Sequence, residues 1–338
     1  MLAPVRNAAP RSPRRYALAL ALAACGGSDG SVNATTAVPP GLGPGTTSGT
    51  AGPGSSSTAA PSTTGGDSAG NTADPDGSGT AGSVFDVAMG TTTAGDCVPS
   101  SAQETICDEI DDDCNGLVDD VDEAMDGICD CLAIAIVGVP GPNAASQFEQ
   151  WLIDRGTSTE RIDPAVVGVE TLQPYDIIIL DQLTRTYTPA EAGAFDLWVN
   201  AGGGLMAMTG HTADPTVAQQ WPNSILGSFG LSYQGALLSG PVTDFIPHPT
   251  VAGLTSVTFL GGFEVGQSMA GASDVVGQLP GAVPVAQAGE FGSGKVFVWG
   301  DEWIEYDSEW SAMPEITMLW ANILSWLSPT NFCSPPEG

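Results

Sequence analysis

One acidic segment constrains the folding of this chain more than any other part of it. The seventeen residues from Cys107 to Glu123 include nine acidic residues and no basic one, and Cys107 and Cys114 bracket the first acidic cluster. Carboxylates at this density repel one another, so a compact structure needs a cation to neutralise them. The segment therefore predicts an ion site, and a solvated acidic loop is the alternative.

The spacing of the oxygen-bearing side chains supports the ion site. With Asp111 as position 1, the segment follows the EF-hand loop pattern D-x-[DN]-x-[DN]-G, which has glycine at position 6, where the loop turns sharply. The predicted ligands are Asp111, Asp113, Asn115, Leu117, Asp119 and Asp122. Oxygen ligands without His or Met favour Ca²⁺ over copper. Extracellular modules with such ligands bind Ca²⁺ at about 10⁻⁴–10⁻³ M.

The same residues carry a family resemblance. The stretch from Cys107-Asp108 through Asp111-Asp112-Asp113-Cys114-Asn115-Gly116 to Asp119 resembles the MopE-type metal-binding repeat of exported bacterial proteins. That family is associated with copper, so the resemblance implies a metal site without fixing the metal. The ligand types in this chain still favour Ca²⁺, as a structural ion.

The first 25 residues predict export. Four arginines lie within residues 6–15, and a short apolar run from Tyr16 to Ala24 follows. The run is too short to span a hydrocarbon core of ~30 Å and is typical of a secretory signal. It ends in Leu22-Ala23-Ala24-Cys25-Gly26, which resembles the bacterial lipobox. The resemblance implies cleavage before Cys25, a lipid on Cys25, and an outer-membrane lipoprotein that faces the periplasm or the cell surface. Ordinary signal cleavage, which would leave a free protein, is the alternative.

The charge balance limits the possible partners. The chain has 8 basic and 39 acidic residues, a formal net charge of −31, and removal of the four N-terminal arginines would make it 4 − 39 = −35. Binding of nucleic acid or anionic lipid through charge is excluded, because phosphates need a basic surface. Cations are the expected small partners.

Cysteine usage agrees with an oxidising compartment. Six cysteines follow Cys25, and an even number in an exported chain predicts disulfides. They are Cys97, Cys107, Cys114, Cys129, Cys131 and Cys333. We expect Cys107 to pair with Cys114, and one of Cys129 and Cys131 to pair with Cys333. A transition-metal thiolate site is the alternative, although the spacings match no zinc pattern.

Composition divides the chain into five regions. Residues 1–24 are the predicted signal peptide, and residues 25–96, rich in Gly, Ser, Thr and Pro, are a predicted disordered tether with a span of roughly 45–50 Å. Residues 97–131 form the acidic module, which is too short for a sizeable core and relies on disulfides and a cation. Residues 132–329 read as one α/β domain, and residues 330–338 as a tail.

Alternating apolar runs and helical patterns predict the α/β domain, with a parallel sheet between helices. Strands are predicted at 132–138, 166–169, 175–181 and 205–209, and a hairpin around 291–294. Helices are predicted at 142–155, from Thr188 as N-cap to about Asn200, and at 313–327. A phosphate-loop pattern, G-x-x-x-x-G-K, is matched by Gly289-Glu-Phe-Gly-Ser-Gly-Lys295. A true phosphate loop leads into a helix, whereas a strand follows here, so the segment is predicted to be a hairpin turn.

The order of these motifs resembles the class I glutamine amidotransferase-like superfamily. The resemblance rests on 175–180, Pro189-Ala-Glu191 and 201–210, while 245–249 and 292–301 are similar to the trehalose-utilisation-type branch. It implies a flavodoxin-like three-layer sandwich. Catalytic members carry a cysteine after the strand that matches 205–209, whereas this chain has Thr209-Gly210-His211 there, and its α/β domain contains no cysteine before Cys333 in the tail. The amidotransferase activity is therefore not expected. Thr209 with His211 or His248 as base is the remaining catalytic alternative.

A second ligand site is predicted after the last strand of the domain. Residues 301–310 combine five acids with three aromatics, and the carboxyl ends of strands are where α/β folds bind ligands. The candidates are Asp301, Glu302, Trp303 and Trp310. A surface loop whose aromatics pack on the domain is the alternative.

Three functions remain open from the sequence. The first is a non-catalytic cell-envelope lipoprotein with a Ca²⁺-binding loop and a degenerate amidotransferase-like domain that binds an envelope protein or a glycan. The second is a hydrolase of envelope glycan or peptide that uses the 301–310 loop. The third is a structural spacer at the cell surface.

Overall fold

The computed structural model describes residues 97–329 except 109, 124, 211, 213, 269, 270 and 272. The predicted signal peptide, Cys25, the tether and Cys333 lie outside the described residues. Within the described part of the chain, no helix has both the length and the apolar composition needed to cross a membrane.

The described part of the α/β domain contains ten strands, and α-helices alternate with them only as far as β5. The strands are β1 (Ala133–Val137), β2 (Ser158–Ile162), β3 (Ile177–Leu180), β4 (Gly204–Ala207), β5 (Leu231–Val242), β6 (Asp244–Phe245), β7 (Val257–Gln267), β8 (Asp274–Leu279), β9 (Val283–Phe291) and β10 (Gly294–Trp299). The α-helices are α1 (Ser146–Asp154), α2 (Val169–Leu172), α3 (Pro189–Asn200), α4 (Trp221–Leu226), α5 (Asp307–Ala312) and α6 (Pro314–Leu327). A π-helical turn (Thr216–Gln220) precedes α4, and 3-10 turns occupy Gly227–Phe229, Pro249–Val251 and Trp303–Glu305.

The main sheet joins a parallel half to an antiparallel half. Its order is β2-β1-β3-β4-β10-β9-β8-β6, and the pairs from β2 to β10 are parallel while the others are antiparallel. The first five strands have the flavodoxin order 2-1-3-4-5, with β10 as the fifth. β5 and β7 form a separate antiparallel pair. The predicted flavodoxin-like α/β class is confirmed.

Two apolar cores cover the two faces of the sheet. On β1, Ile134 and Ile136 belong to one core, while Ala135 and Val137 belong to the other. The first core includes buried residues of α1 and α6, and the second includes buried residues of α2, α3 and α4. This alternation is what a strand buried on both faces produces, and it gives the three layers.

The acidic module shares the first of these cores. Val121, Ile128, Cys129 and Cys131 are buried in the same cluster as Phe148 of α1. The module is therefore packed against the α/β domain through its second half, which supplements the disulfides in holding it.

One predicted strand is wrong. Residues 166–168 are irregular, and Val169 begins the short helix α2 after extended Gly168. The second strand is instead β2, whose sequence Ser-Thr-Glu-Arg-Ile is only partly buried because it lies at the sheet edge and pairs on one side. An edge strand lacks the apolar run that marks the inner strands.

Candidate functional site

Two interleaved disulfides hold the acidic module. Cys97 bonds to Cys114 and Cys107 bonds to Cys131. The predicted Cys107–Cys114 pair is wrong, because each of these residues closes a longer loop, of sequence separation 24 and 17 respectively. A disulfide that closes a longer loop removes more conformational entropy from the unfolded chain and so stabilises the folded state more. The predicted bond from Cys129 or Cys131 to Cys333 is not available to Cys131, which bonds to Cys107. Cys129 is also disulfide-bonded, and Cys333 lies outside the described residues.

The first acidic turn folds around the carboxylate of Asp111. The backbone N–H groups of Asn115 and Gly116 donate to Asp111 Oδ1 and Oδ2 at 3.1 and 3.0 Å. Asn115 N–H also donates to Asp113 Oδ1 at 3.0 Å, and Leu117 N–H donates to Asn115 Oδ1 at 2.7 Å. Cys114 and Gly116 both have left-handed backbones, with φ of 60° and 93°. The turn therefore has the tight geometry that the D-x-D-x-N-G pattern predicts.

Three carboxylates converge beside this turn. One oxygen each of Glu104, Asp111 and Asp113 lies within 4.8 Å of the others. Glu104 is 7 % exposed, its Oε1 accepts from the backbone N–H of Asp112, and its Oε2 is buried without a hydrogen-bond partner. Burial and the nearby carboxylates raise the pKa of Glu104. A buried carboxylate oxygen with no donor is the arrangement that a bound cation stabilises.

Glu104 was not among the ligands predicted from the sequence. It lies seven residues before Asp111, outside the loop pattern, and only the fold of the 97–114 disulfide loop brings it to the turn. No spacing rule for EF-hand loops contains such a residue.

Of the other predicted ligands, Asn115 contacts this group, whereas Asp119 and Asp122 lie outside it. Asn115 Nδ2 donates to Asp113 Oδ2 and Asp120 Oδ2, at 3.2 and 2.8 Å. Asp119 is buried, and its Oδ1 accepts from the backbone N–H of Asp108 at 2.8 Å. Asp122 belongs to a separate turn. The structure thus brings together Asp111 and Asp113 with Asn115, and leaves Asp119 and Asp122 outside the carboxylate group.

The turn at Asp122 repeats the turn at Asp111 eleven residues later. Asp126 and Gly127 donate their N–H groups to Asp122 Oδ1 and Oδ2 at 3.1 and 2.9 Å, and Ile128 N–H donates to Asp126 Oδ1. Met125 and Gly127 again have positive φ, of 52° and 78°. In sequence, however, Ala124 takes the place of Asp113.

The second turn meets a basic side chain of the α/β domain. Arg155 Nε lies 3.2 Å from Asp126 Oδ2, and the guanidinium lies 3.8 Å from the Trp151 ring centroid. The repeat has thus diverged. The first copy keeps the convergent carboxylates, whereas the second uses its acid to attach the module to the end of α1.

The predicted ligand loop at 301–310 is mostly directed inward. Asp301 is fully buried, and its two carboxylate oxygens accept from the backbone N–H groups of Leu260 and Trp303. Trp310 Nε1 donates to the carbonyl of Ile304 at 3.0 Å, and its ring packs on Phe148. Trp303 is half-buried against Tyr306. Asp301 and Trp310 therefore hold the segment in place, and Glu302 faces a cluster at the sheet edge.

That cluster joins buried acids to one arginine at the carboxyl ends of the strands. Asp181, directly after β3, and Glu305, after β10, are both fully buried. Arg161 of β2 lies 2.7 Å from Asp181 Oδ2 and 3.9 Å from Glu305 Oε2. Burial raises the pKa of both carboxyl groups, and Arg161 counteracts this only in part. Two buried carboxyls that share a single cation favour retention of a proton by the pair.

Glu302 extends the cluster through a neutral side chain. Gln182 Nε2 donates to Glu302 Oε2, and the Tyr306 hydroxyl donates to Glu302 Oε1 at 2.7 Å. Burial raises the pKa of Glu302 to about 8, with the charges of Asp181 and Asp301 adding to the effect. The pKa of Asp301 is raised to about 7, again mainly by burial.

The backbone beneath the cluster is tightly constrained. Gln182 has a left-handed φ of 46°, which is uncommon for a residue other than glycine. Gly138, directly after β1, has φ of 130°, and a Cβ there would lie 1.7 Å from the Asp181 carbonyl oxygen. The cluster lies where the strand order reverses between β1 and β3, the place where open α/β sheets bind ligands.

Two residues of the remaining catalytic alternative are engaged in other contacts. The Thr209 hydroxyl donates to the Ala218 carbonyl at 2.9 Å, and the His248 ring caps Thr250 at the Pro249–Val251 turn. His211 lies outside the described residues. The phosphate-loop-like string spans the turn between β9 and β10, as predicted for a hairpin.

Comparisons with known proteins give similarity at the level of structure. Neither a protein-family model nor a curated protein sequence matches the chain. Cytoplasmic Protein STM3548 from Salmonella typhimurium is 16% identical, with a TM-score of 0.47 over 59% of this chain and 100% of its own. The mmIFT52 N-terminal domain has a TM-score of 0.48 at 15% identity, over 58% of this chain and 96% of its own. A ThuA-like protein from Bacteroides uniformis ATCC 8492 has a TM-score of 0.42 at 16% identity, over 58% and 90%. Similarity at this level supports no statement about activity.

Proposed function

We propose that this protein is a non-catalytic cell-envelope protein whose acidic module binds a structural Ca²⁺ ion. The observation that carries the proposal is the convergence of Glu104, Asp111 and Asp113, with the buried Oε2 of Glu104 lacking any donor. Three carboxylates and no nitrogen or sulfur ligand favour a hard cation. The disulfides fix the turn, and the ion offsets the repulsion between its carboxylates.

Calorimetric titration of the full-length protein with CaCl₂ tests the ion. We expect binding in the range of about 10⁻⁴–10⁻³ M. Glu104→Gln removes the buried ligand with little change in size, and it should weaken binding by about tenfold or more. Glu123→Gln is the matched control, because it removes one charge from an exposed position in the same module. Equal affinity in wild type and Glu104→Gln would overturn the assignment, as would tight binding of copper without binding of Ca²⁺.

The location rests on the N-terminal sequence. We propose that Cys25 carries the lipid that anchors the chain at the outer membrane, and that residues 26–96 act as a tether. Cys25→Ser should move the protein from the membrane fraction to the soluble fraction. A serine substitution at an alanine before the cleavage position should leave the protein in the membrane fraction. A Cys25→Ser protein that stays with the membranes would contradict the anchor.

The α/β domain is proposed to bind an envelope protein or a glycan. The absence of any cysteine between 132 and 332 removes the amidotransferase nucleophile, and Thr209 and His248 are engaged elsewhere. Capture from envelope extracts with the immobilised lipid-free protein, and binding to an array of envelope glycans, test this role. A structural spacer would retain nothing in either assay.

A further inference from the structure

The two outer strands of the main sheet differ in how well they are protected against the addition of a further strand. β6 is two residues long, and Pro247 and Pro249 follow it closely. Short edge strands and prolines hinder pairing with another strand. β2 has five residues without a proline, and the order of the sheet ends with it. The β2 edge is therefore the one that can accept an extended segment.

The backbone of β2 directs unpaired hydrogen-bonding groups away from the sheet. The N–H of Ser158 and the carbonyl of Ile162 are hydrogen-bonded on the β1 side of the strand, at 2.8 Å each. Because backbone groups alternate in direction along a strand, the N–H and carbonyl groups of Thr159 and Arg161 face outward. The described residues form no backbone hydrogen bond with these outward groups. They are free to pair with an added strand.

The charge that this edge presents to solvent is negative. The arginines of this stretch, Arg155 and Arg161, are each paired with a carboxylate of the chain, at 3.2 and 2.7 Å. Glu160 and Asp163 are exposed. A partner that approaches this edge therefore meets uncompensated acidic side chains, and a basic segment complements them.

Glu160 disfavours a second copy of this chain as the added strand. In an antiparallel pair of two β2 strands, the register that uses all the outward groups places Thr159 of one copy opposite Arg161 of the other. The two copies of Glu160 then face each other, with Cα atoms about 4.5 Å apart. Like charges directly opposite one another destabilise a pair of strands, whereas opposite charges stabilise it. A strand with a basic residue at this position fits the edge better.

The neighbours of Glu160 define a second position on the added strand. Glu160 and Ile162 project to the same face, since side chains alternate along a strand. Ile162 is partly buried and packs against the core that contains Ala135 and Val137. The Tyr175 hydroxyl donates to Glu160 Oε1 at 2.6 Å, which orients the carboxylate. The edge therefore matches a basic residue and, two positions away, an apolar residue.

We propose that β2 is the docking edge for an extended, basic segment of a partner protein, which adds to the main sheet as a further strand. The backbone of Thr159 and Arg161 supplies the hydrogen bonds, and Glu160 selects the charge of the segment. The docking edge depends on the proposed function, in which the α/β domain binds an envelope protein, and it specifies the surface and the kind of segment that is bound.

Fluorescence polarisation with labelled peptides tests the docking edge on the full chain. The basic probe is Lys-Thr-Val-Thr-Lys-Thr-Val, and the acidic probe has Glu in place of each Lys. The basic probe should bind the wild-type protein. Thr159→Pro should weaken this binding by about tenfold or more, because proline removes an outward N–H that the pairing with β1 does not use. No binding of the basic probe to wild type, or equal binding to wild type and Thr159→Pro, would overturn the proposal.

Charge reversal tests the selectivity of the edge. Glu160→Lys should weaken binding of the basic probe by about threefold or more and strengthen binding of the acidic probe. Glu170→Lys makes the same charge change at an exposed position of α2, and it should leave the preference for the basic probe in place. Equal weakening by the two variants would show attraction to the net charge of the chain, and it would overturn the selection by Glu160.

Hydrogen exchange reads the edge in the wild-type chain and does not require a variant to fold. The amides of Thr159 and Arg161 should exchange rapidly in the free protein and become protected with the basic probe. The amides of Glu160 and Ile162 should be protected in both states, because they bond to β1. Protection of Thr159 and Arg161 that rises with protein concentration in the absence of the probe would show a second copy at the edge, and it would overturn the proposal.

Capture from envelope extracts separates the docking edge from the proposed function. Envelope proteins retained by wild type and lost with Thr159→Pro would support the edge, provided that the basic probe behaves in the same way. Equal retention by both proteins would overturn the docking edge and leave the proposed function intact. If wild type retains neither envelope proteins nor glycans, the proposed function and the docking edge both fail.

Discussion

At the scale of single residues, a few contacts determine the geometry of both candidate sites. Glu104 completes the carboxylate group of the module, and Glu305 adds a second buried carboxyl beside Arg161 at the sheet edge. Neither role is visible in local sequence, because each depends on a partner brought close by the fold. Thr188 and Glu191 are the opposite case: their capping box is a local pattern, and the structure has it as predicted.

Gly138 gives a test at this scale. Gly138→Ala should destabilise the protein by more than about 3 kcal/mol, because the backbone has φ of 130° and the new Cβ would meet the Asp181 carbonyl. Urea unfolding measures the change. Gly193→Ala in α3 is the control, since a Cβ there meets nothing within 4 Å, and it should stabilise by about 0.5–1 kcal/mol. A Gly138→Ala protein as stable as wild type would contradict the described path of the chain.

At the scale of elements, the sequence predicts the interior of the fold better than its edges. β1, β3 and β4 are continuous apolar runs because they are buried on both faces, and all three were predicted. β2 was missed, since its partly exposed residues carry polar side chains. The β5–β7 pair was missed as well; it contains glycines and register shifts that interrupt the alternation of apolar residues.

The acidic turns make the same point. The D-x-D-x-N-G pattern correctly predicts the first turn, at Asp111. The same pattern, extended to twelve positions, wrongly places Asp122 in that first turn. The backbone instead starts a second turn at Asp122, because Asp126-Gly127 supplies another pair of N–H groups and another left-handed glycine. An internal repeat of eleven residues was therefore read as one longer loop.

The disulfide between Cys97 and Cys114 is expected to support ion binding. In the chain-entropy relation, closing a loop of this separation contributes about 3 kcal/mol. Replacing both cysteines with serine should weaken Ca²⁺ binding by about tenfold or more, because the free turn must be ordered on binding. Calorimetry measures the affinity, and circular dichroism should show an intact α/β domain. Unchanged affinity would mean that the turn is ordered without this bond.

At the scale of the whole molecule, the excess of acidic residues opposes compaction. The formal net charge is −31, and repulsion between like charges weakens as salt shortens the screening length from about 30 Å at 0.01 M to about 8 Å at 0.15 M. The melting temperature should therefore rise by several degrees between 0.01 and 0.15 M NaCl in the presence of EDTA. A smaller rise is expected with saturating Ca²⁺, since the ion already neutralises part of the charge. A melting temperature that falls with salt would show that attractive ion pairs dominate.

The interleaved disulfides also determine how the molecule carries mechanical load. A pull on the chain before Cys97 reaches the Cys107–Cys131 bond by two short routes, either along residues 97–107 or across the Cys97–Cys114 bond and back along residues 107–114. Both routes then cross to Leu132, at the entrance to β1, and bypass residues 115–130. Force on the tether would thus reach β1 through the disulfides, while the turn at Asp122 stays slack and keeps its shape.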